Sequence, residues 1–206
     1  MLAVAALTLT ACGGSDGTKT AEEKVECQAA DGSAERVTSF AKSQPMCIDA
    51  DKTYTATMTT DVGDIEIALD ADKAPKTVNN FVVLSRYHFY DGLTFHRVIQ
   101  DFMAQGGDPS GDGSGGPGYT FDDELPKAGE YTVGSLAMAN RGPDTNGSQF
   151  FIITGDAGVG LPPNYSLFGQ VTEGLDVLEQ IEADGSPGEG APAKVHTIES
   201  VTITEE

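Results

Sequence analysis

The run Tyr54-Thr55-Ala56-Thr57-Met58-Thr59-Thr60 and the run Asp64-Ile65-Glu66-Ile67-Ala68-Leu69 alternate and are rich in β-branched residues, with Asp61-Val62-Gly63 between them as a short turn. A period of two places alternate side chains on one face of a sheet, so the pair predicts a β-hairpin. The period then changes. Ala74-Pro75-Lys76-Thr77 opens a stretch in which Val78, Phe81, Val82 and Leu84 suit one face of a helix, and proline is tolerated in a first turn whose N–H groups have no intrahelical partner. A helix to about Tyr87 follows. Further short strands are predicted at residues 94–99, 102–105, 134–139, 149–154, 166–171 and 195–204, interrupted by one helix at 174–183 with Leu175, Leu178 and Ile181 on one side. Short strands, glycine-rich turns and two helices predict a mainly β fold, a closed antiparallel barrel capped by two α-helices. The sequence shows no internal repeat.

Residues ahead of the hairpin follow another pattern. Met1 to Ala11 form an apolar run of signal-peptide size, too short to cross a bilayer as a helix. Leu9-Thr10-Ala11-Cys12 resembles the lipobox of bacterial lipoproteins, although no Lys or Arg precedes the apolar run. This predicts a signal-peptide remnant at 1–11, a lipidated Cys12, a Gly/Ser/Thr-rich tether and an extracytoplasmic protein held at the cell membrane by its lipid. From 12 to 51 the chain reads as linker and polar extension, with a short helix expected at 34–42, and the folded domain as 52–206. Exported chains keep disulfides, so Cys27 and Cys47, the pair left when Cys12 is set aside, are expected to be bridged.

Composition narrows the partners. With 206 residues and 39% hydrophobic side chains the chain allows one domain plus an extension. Twelve Lys and Arg against 32 Asp and Glu give a formal net charge of -20, which repels nucleic acid and anionic membrane surfaces and disfavours self-association, so a monomer is expected. Acyl chains need no favourable surface field, which leaves the lipid as the only membrane contact.

Two blocks carry the chemistry. Phe95-His96-Arg97-Val98-Ile99-Gln100-Asp101-Phe102-Met103-Ala104-Gln105-Gly106-Gly107-Asp108 and Met138-Ala139-Asn140-Arg141-Gly142-Pro143-Asp144-Thr145-Asn146-Gly147-Ser148-Gln149-Phe150-Phe151-Ile152 resemble the two signatures of the cyclophilin family of peptidyl-prolyl isomerases. The resemblance covers residues 52–204 and implies an eight-stranded barrel with two helices. It implies that Arg97 sits beside the prolyl amide, that Phe102, Met103, Phe151 and Leu161 grip the proline ring, and that Gln105 holds the substrate carbonyl and orients Arg97. Asn140 would bond the peptide backbone, and Gly113, Ala139 and Gln149 would line a neighbouring subsite. Gly160 and Tyr165 fall where many family members carry Trp and His; Tyr165 keeps a flat face and a hydroxyl, so turnover is expected to survive.

The residue types suit that task independently. Rotation about an X-Pro bond is slow because twisting breaks amide resonance, at about 18–20 kcal/mol. No covalent bond has to form. A catalyst needs an apolar seat for the ring and a fixed donor for the twisted nitrogen, and an arginine supplies a rigid, permanently charged fork of N–H groups. No cofactor or metal is implied: His88, His96 and His196 lack ligand spacing, Asp122-Asp123-Glu124 reads as a solvated turn, and the GxGxxG match at 111–116 lacks a βαβ setting. Residues 106–118 read instead as a loop bordering a peptide groove. The expected activity is cis/trans isomerisation of X-Pro bonds in unfolded or exported proteins, assisting folding. The competing reading is a module that binds proline-containing segments without turnover.

Overall fold

The computed structural model describes residues 27–43 and 45–206, so the signal remnant, Cys12 and the tether lie outside the described residues. Eight strands and three helices follow in the order β1 Tyr54–Thr60, β2 Gly63–Leu69, α1 Pro75–Arg86, β3 Arg97–Ile99, β4 Met103–Gly106, β5 Ser135–Met138, β6 Phe150–Ile153, α2 Asp156–Val159, β7 Leu167–Glu173, α3 Leu175–Ala183 and β8 Ile198–Glu205. The strands form one antiparallel sheet in the order β3-β4-β6-β5-β7-β2-β1-β8. The hairpin pairs Tyr54 with Leu69 through Thr60 with Gly63. Its alternation buries Ala56, Met58, Ile65 and Ile67 completely on one face.

The expected closed barrel is corrected to a curled, open half-barrel. The end strands β3 and β8 share no ladder; across the seam runs a single bridge, Thr94 to Thr197, with Phe95 N donating to His196 O at 3.0 Å and Ile198 N to Leu93 O at 2.8 Å. Strand β3 has only three residues, and its other edge is taken by the loop between α3 and β8, where Val98 N donates to Gly190 O at 2.8 Å and Ser186 N to Val98 O at 3.1 Å. The curl is filled instead by α1, which is buried from Thr77 to Arg86. Phe81 of α1 meets Tyr90, Phe150 and Phe168 at ring-centroid distances of 5.0, 5.8 and 5.4 Å. Helix α3 packs against β2, β3 and β4. His196, 2% exposed, lies between Asp61 of the hairpin turn (3.1 Å) and Asp184 at the end of α3 (2.9 Å), pinning the α3–β8 connection.

Two further expectations change. The single further helix is joined by α2, four residues that are too short to leave a periodic signal. The segment expected as a helix at 34–42 is a strap without regular secondary structure. Val37 N donates to Tyr87 O (2.9 Å) and Phe40 N to Pro117 O (2.8 Å), so the sheet domain supplies the acceptors that a helix would have supplied itself. Phe40 is 7% exposed and meets the Tyr87 ring edge-on at 5.2 Å, a burial that a solvated helix would forgo. Asn79 of α1 fixes the return, accepting from Cys47 N at 2.6 Å and donating to Pro45 O at 2.8 Å. Residues 27–43 and 45–51 are therefore docked on the domain. Among the described residues no helix is long and apolar enough to cross a membrane.

Cys27 and Cys47 are joined, with Cα atoms 5.2 Å apart and a separation of 20 positions in sequence. Opening that loop enlarges the unfolded ensemble, so Cys47→Ser is expected to lower stability by about 3 kcal/mol. Urea unfolding checks this: an unchanged midpoint would show that the strap is held by Phe40 and Asn79 alone.

Candidate active site

Antiparallel register builds the site. Arg97 pairs with Gln105, Gln105 with Phe151, and Phe151 with Ala137, so these four residues form one row across β3, β4, β6 and β5. The next row runs Ile99, Met103, Ile153. Neighbouring residues Val98, Ala104, Ile152 and Leu136 point the other way into the main core. Strand β6 is buried along its whole length because both faces are covered. One face lies in the core, and the other lies in a second apolar cluster of Met103, Tyr131, Ala137, Phe151 and Ile153. On that outer face opens a cup of about 120 Å³, lined by Arg97, Phe102, Met103, Gln105, Ala139, Asn140, Phe151, Leu161 and Tyr165. That volume holds one small ring, or the equivalent of roughly four waters.

Helix α2 carries the far rim. Asp156 N donates to Asp101 Oδ1 and Ala157 N to Asp101 O, both at 3.0 Å, which docks the helix on the β3–β4 turn. A Cβ at Gly158 would collide with the Phe102 carbonyl oxygen, so glycine permits the approach. Leu161 N then donates to Gly158 O (3.2 Å), setting Leu161 across from Phe102. The Tyr165 ring stands edge-on to Phe151, 5.3 Å between centroids and 88° between planes.

Arg97 is half-buried at the mouth of this cup. Its Nε donates to Glu189 O at 3.1 Å and its Nη1 to Gln105 Oε1 at 3.3 Å; among the described residues Nη2 has no partner and no carboxylate lies within ion-pair distance. The charge is thus held by neutral acceptors, which position it without neutralising it. Its stem lies against Gly190, at φ 80°, where a Cβ would stand 3.0 Å from Arg97 Cγ. Gln105 Nε2 donates to Gln149 Oε1 (2.9 Å), and Gln149 Nε2 donates to Gly113 O (3.0 Å) and Gly115 O (2.8 Å). This chain turns the Gln105 oxygen toward Arg97. Burial lowers the neighbouring His96, keeping a second positive charge away from Arg97.

Nine of the expected residues meet at the cup. Gly113 and Gln149 lie beside it, in a larger depression of about 570 Å³ that shares Gln105, Ala139 and Asn140 with the cup. The Asn140 side chain donates to Asn164 O (2.9 Å) and accepts from Gly142 N (3.2 Å), while its main-chain N–H and C=O have no partner among the described residues. Among the described residues no three His, Cys, Asp or Glu side chains are grouped to hold a metal ion.

Three supporting residues carry no motif signal. Glu189 and Gly190 act on Arg97 through the backbone and by lacking a side chain. Tyr131, 2% exposed, donates to Tyr165 O (2.7 Å) and accepts from Tyr165 N (3.1 Å), and burial pushes its hydroxyl up to about 12. Tyr131→Phe leaves both Tyr165 main-chain groups unmet, so it is expected to cost about 1–3 kcal/mol. It should also raise KM more than it lowers kcat, because the Tyr165 wall shifts while Arg97 stays in place. Equal effects on both would place Tyr131 in the core alone.

The cup offers a nonpolar seat beneath an uncompensated, forked donor, and no nucleophile or acid–base pair. Such a site can hold a ring and stabilise a charge shift at an adjoining amide by hydrogen bonding alone. Residues 55–203 match the family model for cyclophilin type peptidyl-prolyl cis-trans isomerases. A peptidyl-prolyl cis-trans isomerase A from Mycobacterium tuberculosis is 47% identical over 170 residues, which span 74% of this chain and 93% of that protein. A Staphylococcus saprophyticus protein described as a peptidyl-prolyl cis-trans isomerase is 40% identical over 178 residues, 72% of this chain and 90% of that one. The crystal structure of a Cryptosporidium parvum cyclophilin type isomerase in the presence of the dipeptide Ala-Pro superposes with a TM-score of 0.67 at 35% identity, covering 73% of this chain and 98% of that one. Family model, relatives and fold agree with the geometry of the cup, and the chain belongs to the cyclophilin-type peptidyl-prolyl cis-trans isomerases.

Proposed function

We propose that this isomerase acts on X-Pro bonds of unfolded or exported proteins and assists their folding outside the cytoplasm, with Cys12 as its lipid anchor and residues 52–206 as its catalytic domain. The proline ring enters the cup between Phe102, Met103, Phe151 and Leu161 and faces Tyr165. Residues on one side of the bond are held, and the other side turns. The free Nη2 of Arg97 donates to the prolyl nitrogen as it becomes pyramidal and gains a lone pair. The Asn140 main chain bonds the peptide backbone, and Ala139, Gly113 and Gln149 receive the adjoining residues. The related crystal structure, obtained in the presence of the dipeptide Ala-Pro, supports a ligand of this class.

One observation carries this reading: among the described residues, an arginine with an unpartnered donor stands over an apolar cup with no carboxylate within ion-pair distance. Exchange spectroscopy on an Ala-Ala-Pro-Phe peptide tests it in the protein as it stands. Accelerated cis/trans exchange supports catalysis, whereas broadening of peptide signals without acceleration would leave only a binding module. Mass spectrometry of the cell-derived protein tests the anchor, which predicts an acylated N-terminal Cys12.

A further inference from the structure

Half of the ten Lys and Arg side chains among the described residues are spoken for. Lys52, Lys73, Lys76, Arg86 and Lys194 each lie against a carboxylate. Arg141 does not. It is exposed at the edge of the depression beside the cup, with its main-chain N–H on Thr145 Oγ1 (2.8 Å) and its Nη2 on Gly113 O (2.6 Å). Its Nε and Nη1 have no partner among the described residues. Hydrogen bonds run from Arg97 through Gln105 and Gln149 to Gly113 O, where Arg141 also donates. Two unneutralised guanidinium groups therefore stand at opposite ends of one polar floor.

Asp112 and Asp144, the carboxylates that directly precede its two partners Gly113 and Thr145 in sequence, already accept backbone bonds. Asp112 Oδ1 accepts from Ser114 N at 2.8 Å. Asp144 Oδ1 accepts from Asp123 N at 3.0 Å, and Asp123 accepts from Asp144 N at 2.9 Å and from Asn146 Nδ2 at 2.8 Å. A fork with free N–H groups bordering a substrate channel is suited to a carboxylate, which it can meet in two parallel bonds.

Resting on the isomerase reading above, we propose that Arg141 is a specificity-determining residue, selecting client segments that carry an Asp or Glu side chain within about three residues of the proline. The arginine that acts at the bond and the arginine that reads the neighbouring side chain then belong to one groove. Long-range repulsion from the net charge of -20 acts on every acidic peptide alike. The test is therefore a ratio compared between variants.

Exchange spectroscopy on paired peptides, with Glu or Lys placed in turn at each of the three positions on either side of the proline, gives the Glu-to-Lys ratio of kcat/KM. At one position this ratio is expected to fall about fivefold in Arg141→Ala. It should fall equally in Arg141→Gln, which keeps an amide to donate to Gly113 O but removes the charge. Ratios unchanged in both variants at every position would overturn the proposal. Failure of the wild-type protein to accelerate the neutral Ala-Ala-Pro-Phe peptide would instead overturn the isomerase reading on which it rests.

Discussion

Arg97→Ala is expected to lower kcat/KM for X-Pro exchange by about 100- to 1,000-fold, the cost of removing one preorganised donor from a site where charge develops. The protein should remain folded. Arg97 is half-buried and its bonds go to neutral acceptors, Glu189 O and Gln105 Oε1, so no carboxylate is left buried and alone when the side chain goes. Peptide affinity should fall far less than the rate, because the apolar walls that seat the ring remain. Arg97→Lys should recover only part of the rate: the charge survives, but a single ammonium cannot hold Glu189 O and Gln105 Oε1 while aiming a further N–H at the substrate nitrogen. Circular dichroism establishes the fold, and exchange spectroscopy over a range of enzyme concentrations gives the rate. A rate unaltered in Arg97→Ala would remove that side chain from the mechanism.

The same arginine explains why this site could be read from a linear sequence. Arg97, Gln105 and Phe151 stand in one row because short antiparallel strands fold back upon one another with fixed register. Two continuous blocks of sequence therefore hold most of the cup, and residue identity within each block is enough to recognise it. The hairpin and α1 were legible for a similar local reason, alternation in one and helical spacing after Pro75 in the other.

What could not be read depends on partners distant in the chain. Whether a curled sheet closes is decided at its edges, and three residues of β3 carry no mark saying that only one bridge spans the seam. The strap at 34–42 has a composition compatible with helix, and it is not helical because Tyr87 and Pro117, far along the chain, accept the N–H groups of Val37 and Phe40. Tyr131, Glu189 and Gly190 shape the cup through a hydroxyl on a backbone, a carbonyl and a missing Cβ. None of these is a chemical group that announces a function, and each was visible only once the chain had folded.

Phe150 and Phe151 are adjacent in sequence, yet opposite in consequence, since a strand sends consecutive side chains to opposite faces. Phe150 is fully buried in the main core and meets Phe81, Tyr90 and Phe95 edge-on at 5.8, 5.7 and 6.4 Å. Phe150→Ala removes that ring from the centre of the aromatic cluster and is expected to cost about 3–5 kcal/mol, lowering Tm by roughly 10 °C in a chain of this size. Turnover per folded molecule should nevertheless stay close to wild type at low temperature. Backbone ladders to β4 and β5 hold β6 from both sides, and Phe151 remains in its row with Gln105 and Ala137. The contrasting variant is Phe102→Ala, half-exposed on the cup wall. Little core is lost there, but the seat for the ring opens to water, so kcat/KM should fall severalfold with only a small loss of stability. Thermal unfolding and exchange rates measured on both proteins test the separation. A Phe150→Ala protein that is folded but inactive would show that core and cup are mechanically one unit, and that the outer face of the sheet cannot hold its geometry without the inner.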